Sequence, residues 1–312
     1  MKILIVGTGG VGGYFGAMLQ RAGEDVVFVA RGEHLRAMIE GGLRVRSVVP
    51  GDFTIRVKAA ERPDGSWKAD LALFCVKSYS NEEAIEAMRP AVGPDTSILP
   101  LQNGIGVGDQ LAAAFGKEKV LLGLTYIDAA RPEPGVVTVG RGSSRIVFGE
   151  WDSKRTPRAV KVLDTLTKAQ LDAVLSDDIQ RDLWKKLTYI CCLSGVLCIT
   201  RASFVEVLET PETRELAVRV MREAAAVAKA LGVSLPPKTV EETLEYFDEH
   251  KAEVTSSMFL DLQRGNPIEV GTINGAVSKL GKKAGVPTPV NDLIFWCLTP
   301  YARKATARRT TG

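Results

Sequence analysis

Short apolar runs alternate with amphipathic stretches through the first half of the chain. Lys2–Val6 and Asp25–Val29 have the apolar, β-branched composition of buried strands, and residues 11–22 between them have the period of a helix. Later strands are predicted at residues 71–76, 97–99 and 120–124. Strands that are joined through helices need crossover connections, so this alternation predicts a largely parallel sheet with helices on both faces.

Two segments add detail to this half. Residues 80–83 read Ser-Asn-Glu-Glu, with the Ser-x-x-Glu spacing of a capping box, and they predict the start of a helix. Residues 136–139 and 146–148 are apolar runs on either side of a glycine-rich stretch, which predicts a hairpin that completes the sheet.

The second half of the chain has the period of helices. Strand signals stop near residue 177, and glycine and proline breaks separate the segments that follow. Helices are predicted at residues 178–199, 212–231, 240–249, 268–284 and 291–304. We therefore expect an α/β domain over residues 1–177 and an all-helical domain over residues 178–312.

Composition and charge narrow the functional classes. The 312 residues are 45% hydrophobic and 25% charged, which is typical of a soluble globular protein with two domains. The net charge of +3 is too small to indicate a nucleic-acid partner. The apolar run at residues 189–199 is shorter than the roughly 20 residues that span a bilayer, so no membrane partner is expected. The five cysteines and two histidines lack metal-ligand spacing, which indicates free thiols in a reducing cytoplasm and no metal site.

The strongest chemical signal is a glycine-rich motif that follows the first strand and opens the first helix. In this setting Gly7 permits a tight turn, Gly9 lets the backbone approach a pyrophosphate, and Gly12 lets helix and strand pack closely. The helix N-terminus then offers N–H groups to the phosphates. The motif predicts a Rossmann-type dinucleotide-binding domain whose cofactor-binding residues are Gly7, Thr8, Gly9, Gly10, Val11 and Gly12.

The end of the second strand indicates which dinucleotide is bound. NAD-binding domains place Asp or Glu there to accept the ribose hydroxyls, whereas this chain has Arg31. A guanidinium can hold a 2′-phosphate with two charge-assisted hydrogen bonds, so the sequence favours NADPH (and NADP) over NADH. The alternative is that Arg31 is a solvated surface arginine.

Several segments are similar to those of the ketopantoate reductase (2-dehydropantoate 2-reductase) family, in order and over nearly the whole chain. They read VGTGGVGGYFGAML, VARGEHL, VKSY at 76–79, LQNG at 101–104, WKKL at 184–187 and TSSMFLDLQRGNPIEVGTINGAV at 255–277. LQNG together with the last segment is the most specific part. The resemblance implies a Rossmann domain, a helical domain and reduction of a 2-oxo acid by NADPH, with ketopantoate reduced to pantoate in pantothenate biosynthesis as the first choice.

The resemblance also implies roles for individual residues. Lys186 matches the catalytic lysine of the family, and Glu269 matches an active-site glutamate. Ser257 matches a substrate-binding serine, Lys77 a cofactor-binding lysine, and Asn103 a residue near both cofactor and substrate. The chemistry is consistent, because hydride delivery to a ketone leaves an oxyanion that needs a proton donor, and the chain contains no Tyr-x-x-x-Lys.

The chain departs from the family at two positions. The family commonly has asparagines four and eight residues after the catalytic lysine, where this chain has Ile190 and Ser194. Ser194 stays a substrate-binding candidate, but a polar group of ketopantoate left unpaired beside Ile190 costs about 1–3 kcal/mol. We therefore expect either a 2-oxo acid that is bulkier or more apolar than ketopantoate, or inefficient reduction of ketopantoate.

Other interpretations stay open at the level of sequence. Lys186 is also compatible with a solvated helical lysine, Ser257 with a helix cap and Glu269 with a first-turn glutamate. As a whole, the chain is compatible with an NADP-dependent dehydrogenase that oxidises a hydroxy or amino acid, or with a non-catalytic protein that binds NADPH. The expected partner is a small-molecule 2-oxo acid, and a homodimer is allowed.

Overall fold

The computed structural model describes residues 1–142 and 144–311, and their side chains as far as residue 304. The chain forms two compact units. We call Met1–Gln102 with Val107–Ile179 the α/β unit, and Asn103–Gly106 with Gln180–Gly312 the helical unit. The four residues 103–106 thus group with a unit from which they are distant in sequence.

The α/β unit contains strands and helices in alternation. Its strands are β1 (Lys2–Val6), β2 (Asp25–Val29), β3 (Leu43–Ser47), β4 (Phe53–Ile55), β5 (Lys58–Ala60), β6 (Ala69–Phe74), β7 (Val92–Pro100), β8 (Leu122–Tyr126), β9 (Ala129–Glu133), β10 (Val136–Val139), β11 (Arg145–Gly149) and β12 (Asp172–Leu175). Its helices are α1 (Gly10–Arg21), α2 (Gly32–Gly41), α3 (Asn81–Met88), α4 (Val107–Phe115) and α5 (Pro157–Lys168).

The central sheet has five parallel strands in the order β5-β2-β1-β6-β7. Strand β1 lies in the middle, with Ile3 paired to Val26 on one side and to Leu71 on the other. Residues 3–6 of this strand are fully buried, because helices cover both faces of a parallel sheet. This arrangement confirms the predicted Rossmann-type α/β fold.

Two smaller sheets complete the α/β unit, in the orders β4-β3-β10-β9 and β12-β11-β8. The predicted hairpin of residues 136–139 with residues 146–148 is wrong, because β10 and β11 belong to different sheets. β10 instead pairs antiparallel with β9, across a turn in which Gly135 has a φ of +76°. The tight turn therefore comes before β10, where a glycine supplies the left-handed conformation.

The helix predicted from the Ser-x-x-Glu spacing is present, but the capping bond is not made. Helix α3 begins at Asn81, directly after Ser80, and the Ser80 side chain makes no capping hydrogen bond. The Glu83 carboxylate of this motif accepts a hydrogen bond from Arg31 instead. The spacing therefore locates the helix correctly while the glutamate has a different partner.

The helical unit is built from seven helices within the part of the chain that the structure describes. They are α6 (Ile179–Thr200), α7 (Phe204–Glu209), α8 (Pro211–Ala230), α9 (Thr239–His250), α10 (Ser257–Gln263), α11 (Asn274–Ala284) and α12 (Pro289–Thr311). The predicted helices at 178–199, 212–231, 240–249 and 291–304 are confirmed, whereas α7 and α10 were not predicted. The all-helical character of this half is confirmed as well.

One predicted helix boundary is wrong. Residues 268 and 269 are irregular, residues 270–273 form a turn, and α11 begins only at Asn274. This segment buries Ile268, Val270 and Ile273 in the core of the helical unit, and Val270 and Ile273 precede the buried Val277 of α11 at helical spacing. Glu269 consequently lies in a loop and not in the first turn of a helix.

Helix α6 is the core helix of the helical unit. It contacts α8 and α11 at Cys191, whose Sγ donates to the carbonyl oxygen of Val220 and whose carbonyl oxygen accepts from Asn274 Nδ2. Leu187 and Val196 of α6 are almost fully buried in the same core. Among the residues described, this is the one helix long and apolar enough to cross a membrane, but most of it is buried inside the protein. The apolar run at 189–199 is thus part of a longer helix, and its hydropathy serves core packing.

Candidate active site

The glycine-rich loop between β1 and α1 is packed too tightly for side chains at two positions. Gly7 has a φ of +94°, and a Cβ added to it would lie 2.6 Å from Val76 Cγ1. A Cβ added to Gly12 would lie 2.2 Å from the carbonyl oxygen of Gly7. Both contacts are far below van der Waals distance, so the turn and the close approach of helix to strand require glycine.

The same loop is open at Gly9. Beyond its chain neighbours, no described atom lies within 4 Å of the place where a Cβ of Gly9 would be. Gly9 is also the N-cap of α1, so no capping side chain occupies the start of that helix. Tight packing beneath the loop, open space above it and a free helix N-terminus fit the pyrophosphate of a dinucleotide.

Thr8 is buried and held on two sides. Its backbone N–H and its Oγ1 both donate to the carbonyl oxygen of Val29, at 3.2 and 3.0 Å. Its own carbonyl oxygen accepts from His34 Nε2 at 2.7 Å, and the N–H of Gly135 donates to His34 Nδ1 at 2.9 Å. Since Nδ1 is the acceptor, the proton of the ring lies on Nε2.

His34 was assigned no role from the sequence, although it stands three residues after Arg31. Burial lowers its pKa, and the positive charge of Arg131 lowers it further. The neutral imidazole therefore joins the glycine-rich loop to the turn before β10. Its burial, which a sequence does not show, is what distinguishes it from a solvated histidine.

The other predicted cofactor residues of the α/β unit lie after β2 and β6. Arg31 is exposed, and its Nη1 donates to Glu83 Oε1 in the first turn of α3. Lys77 is half-buried at the start of the short turn that leads into α3. The structure thus gives Arg31 an acidic partner that the sequence did not indicate.

Gln102 was also missed, although it lies within the LQNG segment. Its Nε2 donates to the carbonyl oxygen of Val76 and, at 2.7 Å, to Asn81 Oδ1, and Asn81 Nδ2 donates to Gln110 at 2.7 Å. Gln102 and Asn81 are both buried. This network fixes the turn that carries Lys77 against the end of β7.

In the helical unit, Lys186 and Glu269 are both buried, with 7% and 6% of their surface exposed. Burial lowers the pKa of Lys186 from 10.5 to about 7, while the charge of Glu269 acts in the opposite direction. Lys185, the neighbour in sequence, is exposed. A lysine with a perturbed pKa beside a buried carboxylate is characteristic of functional sites, and Lys186 is not a solvated lysine.

The face of α6 that carries Lys186 continues with Ile190 and Ser194, at successive four-residue steps. Both are buried, and Ser194 Oγ accepts a hydrogen bond from Ser256 Oγ at 2.8 Å. Ser256 also caps α10 by accepting from the N–H of Phe259. Ser257, which the sequence singled out, is exposed as the first residue of α10, so the helix cap is its neighbour Ser256.

Asn103 is half-buried and belongs to the helical unit. The next residue, Gly104, has a φ of +91°, and a Cβ there would lie 2.1 Å from the carbonyl oxygen of Thr272. That oxygen accepts from the N–H of Ile105 at 3.1 Å, and the N–H of Thr272 donates to the carbonyl oxygen of Glu269 at 3.1 Å. One backbone junction therefore holds Gly104 and Ile105 against the loop that carries Glu269.

The cysteines, histidines and carboxylates are the other candidate metal ligands or reactive groups. Within the residues described, no three His, Cys, Asp or Glu side chains are grouped as metal ligands would be. All five cysteines are free thiols, and burial raises the pKa of Cys75 and of Cys198 to about 12. Thiols with such pKa values carry almost no thiolate at neutral pH.

Two protein families match most of the chain. The family described as "Ketopantoate reductase PanE/ApbA" matches residues 3–153, and the one described as "Ketopantoate reductase PanE/ApbA C terminal" matches residues 178–302. A 2-dehydropantoate 2-reductase from Archaeoglobus fulgidus is 32% identical over 292 residues, which are 93% of this chain and 94% of that protein.

Solved structures agree in fold. The crystal structure of 2-dehydropantoate 2-reductase from Geobacter metallireducens has a TM-score of 0.89 at 32% identity and covers 98% of this chain and 100% of that one. D-mandelate dehydrogenase with NADH and anilino(oxo)acetate also reaches a TM-score of 0.89, at 25% identity, over 98% of this chain and 99% of that one. These matches confirm the resemblance drawn from the motifs, and the chain belongs to the ketopantoate reductase family of oxidoreductases.

Proposed function

We propose that the protein is an NADPH-dependent reductase that converts a 2-oxo acid into the 2-hydroxy acid, with 2-dehydropantoate as the first candidate substrate. The observation that carries this proposal is the buried Lys186, whose pKa is lowered to about 7 beside Glu269. A lysine in that state can both hold and release a proton near neutral pH. It is therefore suited to protonate the oxygen of a ketone.

The reaction needs a hydride and a proton. NADPH supplies the hydride when it is bound. The Lys186 ammonium donates a hydrogen bond to the substrate oxygen and transfers the proton as negative charge develops there. Glu269 favours the charged ammonium, since its carboxylate opposes the larger effect of burial on the pKa of Lys186. The lysine amine then regains its proton from solvent.

Hydroxyl and amide groups in the helical unit are the proposed partners of the substrate. Ser257 offers an exposed hydroxyl at the start of α10, and Asn103 offers an amide on the segment held against the Glu269 loop. The hydroxyls of Ser194 and Ser256 form a buried hydrogen-bonded pair, in which Ser256 donates to Ser194. These groups suit a 2-oxo acid, because its carboxylate accepts several hydrogen bonds at once.

A second candidate substrate is a 2-oxo acid with a large apolar side chain. Ile190 favours it, because this buried apolar side chain lies one helical turn from Lys186, where related enzymes commonly have an asparagine. D-mandelate dehydrogenase, to which the chain is similar, was crystallised with anilino(oxo)acetate. An aromatic or branched 2-oxo acid would contact Ile190 without leaving a polar group unpaired.

The proposed preference for NADPH rests on Arg31, which follows β2 where NAD-binding domains place a carboxylate that would repel a 2′-phosphate. The D-mandelate dehydrogenase structures contain NADH, so both cofactors belong in the test.

The test is an NADPH-consumption assay against 2-dehydropantoate, a short unbranched 2-oxo acid and phenylglyoxylate, repeated with NADH. The Lys186→Ala protein serves as the negative control and Lys185→Ala as the matched surface control. Turnover of 2-dehydropantoate above all others supports the first substrate, whereas turnover of phenylglyoxylate above all others supports the second. Activity with alcohol or amine donors and none with 2-oxo acids would identify a dehydrogenase of another class. Tight NADPH binding without any turnover would identify a binding protein.

A further inference from the structure

An ion pair bridges two strand ends at the edge of the central sheet that carries the glycine-rich loop. β2 and β6 flank β1 in the parallel sheet, so the carboxyl ends of all three strands lie along one edge. Arg31 follows β2, and α3 with Glu83 follows β6. The hydrogen bond from Arg31 to Glu83 therefore crosses the end of β1, where Gly7 begins the dinucleotide loop.

We propose that Glu83 sets the cofactor preference by competing for Arg31. This inference rests on the proposed function, in which Arg31 holds the 2′-phosphate of NADPH. That phosphate must share the guanidinium with the Glu83 carboxylate or displace it, and two anions at contact repel each other. Glu83 thus lowers the affinity for NADPH relative to what Arg31 alone would give.

The carboxylate has the opposite effect on NADH. The adenosine ribose of NADH carries a 2′-hydroxyl in place of the phosphate, and a carboxylate accepts a hydrogen bond from such a hydroxyl. Glu83 therefore supplies, from the first turn of α3, the acidic group that NAD-binding domains place at the end of their second strand. A chain with both Arg31 and Glu83 binds both cofactors with reduced discrimination.

The pair is able to open, because both side chains are accessible. The Arg31 side chain is 50% exposed and that of Glu83 is 64% exposed. Exposed ion pairs contribute little to stability and are weakened by salt, so exchanging Glu83 for a phosphate does not disturb the fold. The same exposure means that substitutions of Glu83 leave a folded protein to test.

The test measures dissociation constants of NADPH and NADH for the full chain, without a 2-oxo acid, by titration calorimetry. We expect Glu83→Gln to tighten NADPH binding by about 3- to 10-fold and to leave NADH binding unchanged or weaker, since one repulsive charge is removed. Glu82→Gln is the matched control, because Glu82 is an exposed acid in the same helical turn. Glu82→Gln should change both dissociation constants equally and by less than about 2-fold, because the charge of Glu82 is more distant from the phosphate and is screened by salt.

Two smaller ligands show which part of the cofactor responds to the substitution of Glu83. Glu83→Gln should strengthen binding of adenosine 2′,5′-bisphosphate and leave binding of adenosine 5′-monophosphate unchanged or weaker, because only the first carries the 2′-phosphate and the second keeps the 2′-hydroxyl of NADH. The inference is overturned if Glu83→Gln alters NADPH and NADH by the same factor, or if it acts no differently from Glu82→Gln.

Arg31→Met separates this inference from the proposed function. If Arg31→Met weakens NADPH but Glu83→Gln shows no selectivity, the role of Glu83 alone is refuted. If the unmodified protein does not bind NADPH, or Arg31→Met leaves that affinity unchanged, the proposed cofactor and this inference fail together.

Discussion

The glycine-rich loop of the α/β unit and the lysine site of the helical unit are built in opposite ways. The loop offers backbone groups from six consecutive residues, and its shape requires the absence of side chains at Gly7, Gly9 and Gly12. The lysine site is made of buried polar side chains from α6, the segment of residues 268–273 and the start of α10. One site is local in sequence, and the other exists only after folding.

The two regions also differ in energetic cost. The loop avoids backbone strain, because the positive φ of Gly7 is a conformation that glycine adopts easily. The lysine site removes an ammonium group from water, which lowers the pKa of Lys186 to about 7. The comparison therefore predicts that a change at the open position of the loop, Gly9, alters binding alone, whereas changes at the lysine site alter both catalysis and stability.

The largest expected effect is on catalysis by Lys186→Ala. Loss of the proton donor should lower kcat for 2-oxo acid reduction by about 10²- to 10⁴-fold, which is the usual contribution of general acid catalysis. The dissociation constant of NADPH should stay within about 2-fold, because in the proposed reaction Lys186 acts on the substrate oxygen and not on the dinucleotide. Steady-state kinetics and cofactor titration measure the two quantities, and Lys185→Ala, an exposed neighbour, should match the unmodified protein in both.

The next effect concerns stability. Replacing the buried pair with Lys186→Met and Glu269→Gln together should raise the free energy of unfolding at pH 7 by about 1–4 kcal/mol, while abolishing activity. The folded pKa of Lys186, about 7, lies below its unfolded value of 10.5. The cost of the buried charge is therefore fully present below pH 7 and is relieved as the pH rises towards 10.5.

The advantage of that double variant should accordingly shrink between pH 7 and pH 10 in urea unfolding experiments. An advantage that stays constant over this range would mean that Lys186 is charged in the folded protein throughout, and that its burial has not shifted its pKa.

His34→Ala should destabilise the α/β unit by about 1–3 kcal/mol, because the Thr8 carbonyl oxygen and the Gly135 N–H lose their buried partner. The folded pKa of His34 is lowered from 6.5, so the neutral ring contributes fully above pH 6.5 and its contribution is lost as the pH falls below that value. The loss of stability caused by His34→Ala should therefore become smaller as the pH falls below 6.5. Thermal unfolding as a function of pH measures it, with His250→Ala, the more accessible histidine, as the control.

Gly9→Ala isolates binding from stability. Its Cβ would enter the open space above the loop, so NADPH affinity should fall by at least about 10-fold while the free energy of unfolding changes by no more than about 0.5 kcal/mol. Gly12→Ala should instead destabilise the protein by about 1–3 kcal/mol, since its Cβ would clash with the Gly7 carbonyl oxygen. Equal losses of stability in the two variants would contradict the described packing of the loop.

The comparison also explains what could be predicted from the sequence. The parallel sheet and the glycine-rich loop follow from local spacing, because strand, turn and helix occupy consecutive residues. The hairpin at 136–148 was wrong because β10 pairs across the tight turn at Gly135 with β9 and, on its other side, with β3, which is distant in sequence. The helix expected at 268 was wrong because Val270 and Ile273, which lie in a turn, continue the helical spacing of the buried Val277 in α11.

The candidate site divides in the same way. Motif resemblance singled out Lys186 and Glu269, but their burial appears only in the folded chain. Ser256 was overlooked beside Ser257, since a motif does not show which of two adjacent serines faces inwards. Glu83 was interpreted as part of a capping box, because sequence spacing does not reveal that Arg31 lies beside it.

The central claim is that Lys186 gives its proton to the substrate oxygen, and the pH dependence of kcat/KM in both directions tests it most directly. With a pKa of about 7 for Lys186, reduction should fall as the pH rises above that value, because the ammonium is lost. Oxidation of the hydroxy acid should fall as the pH drops below the same value, because the neutral amine must accept a proton. If both directions respond to pH in the same sense, or if the residual activity of Lys186→Ala keeps the break near pH 7, the account is wrong.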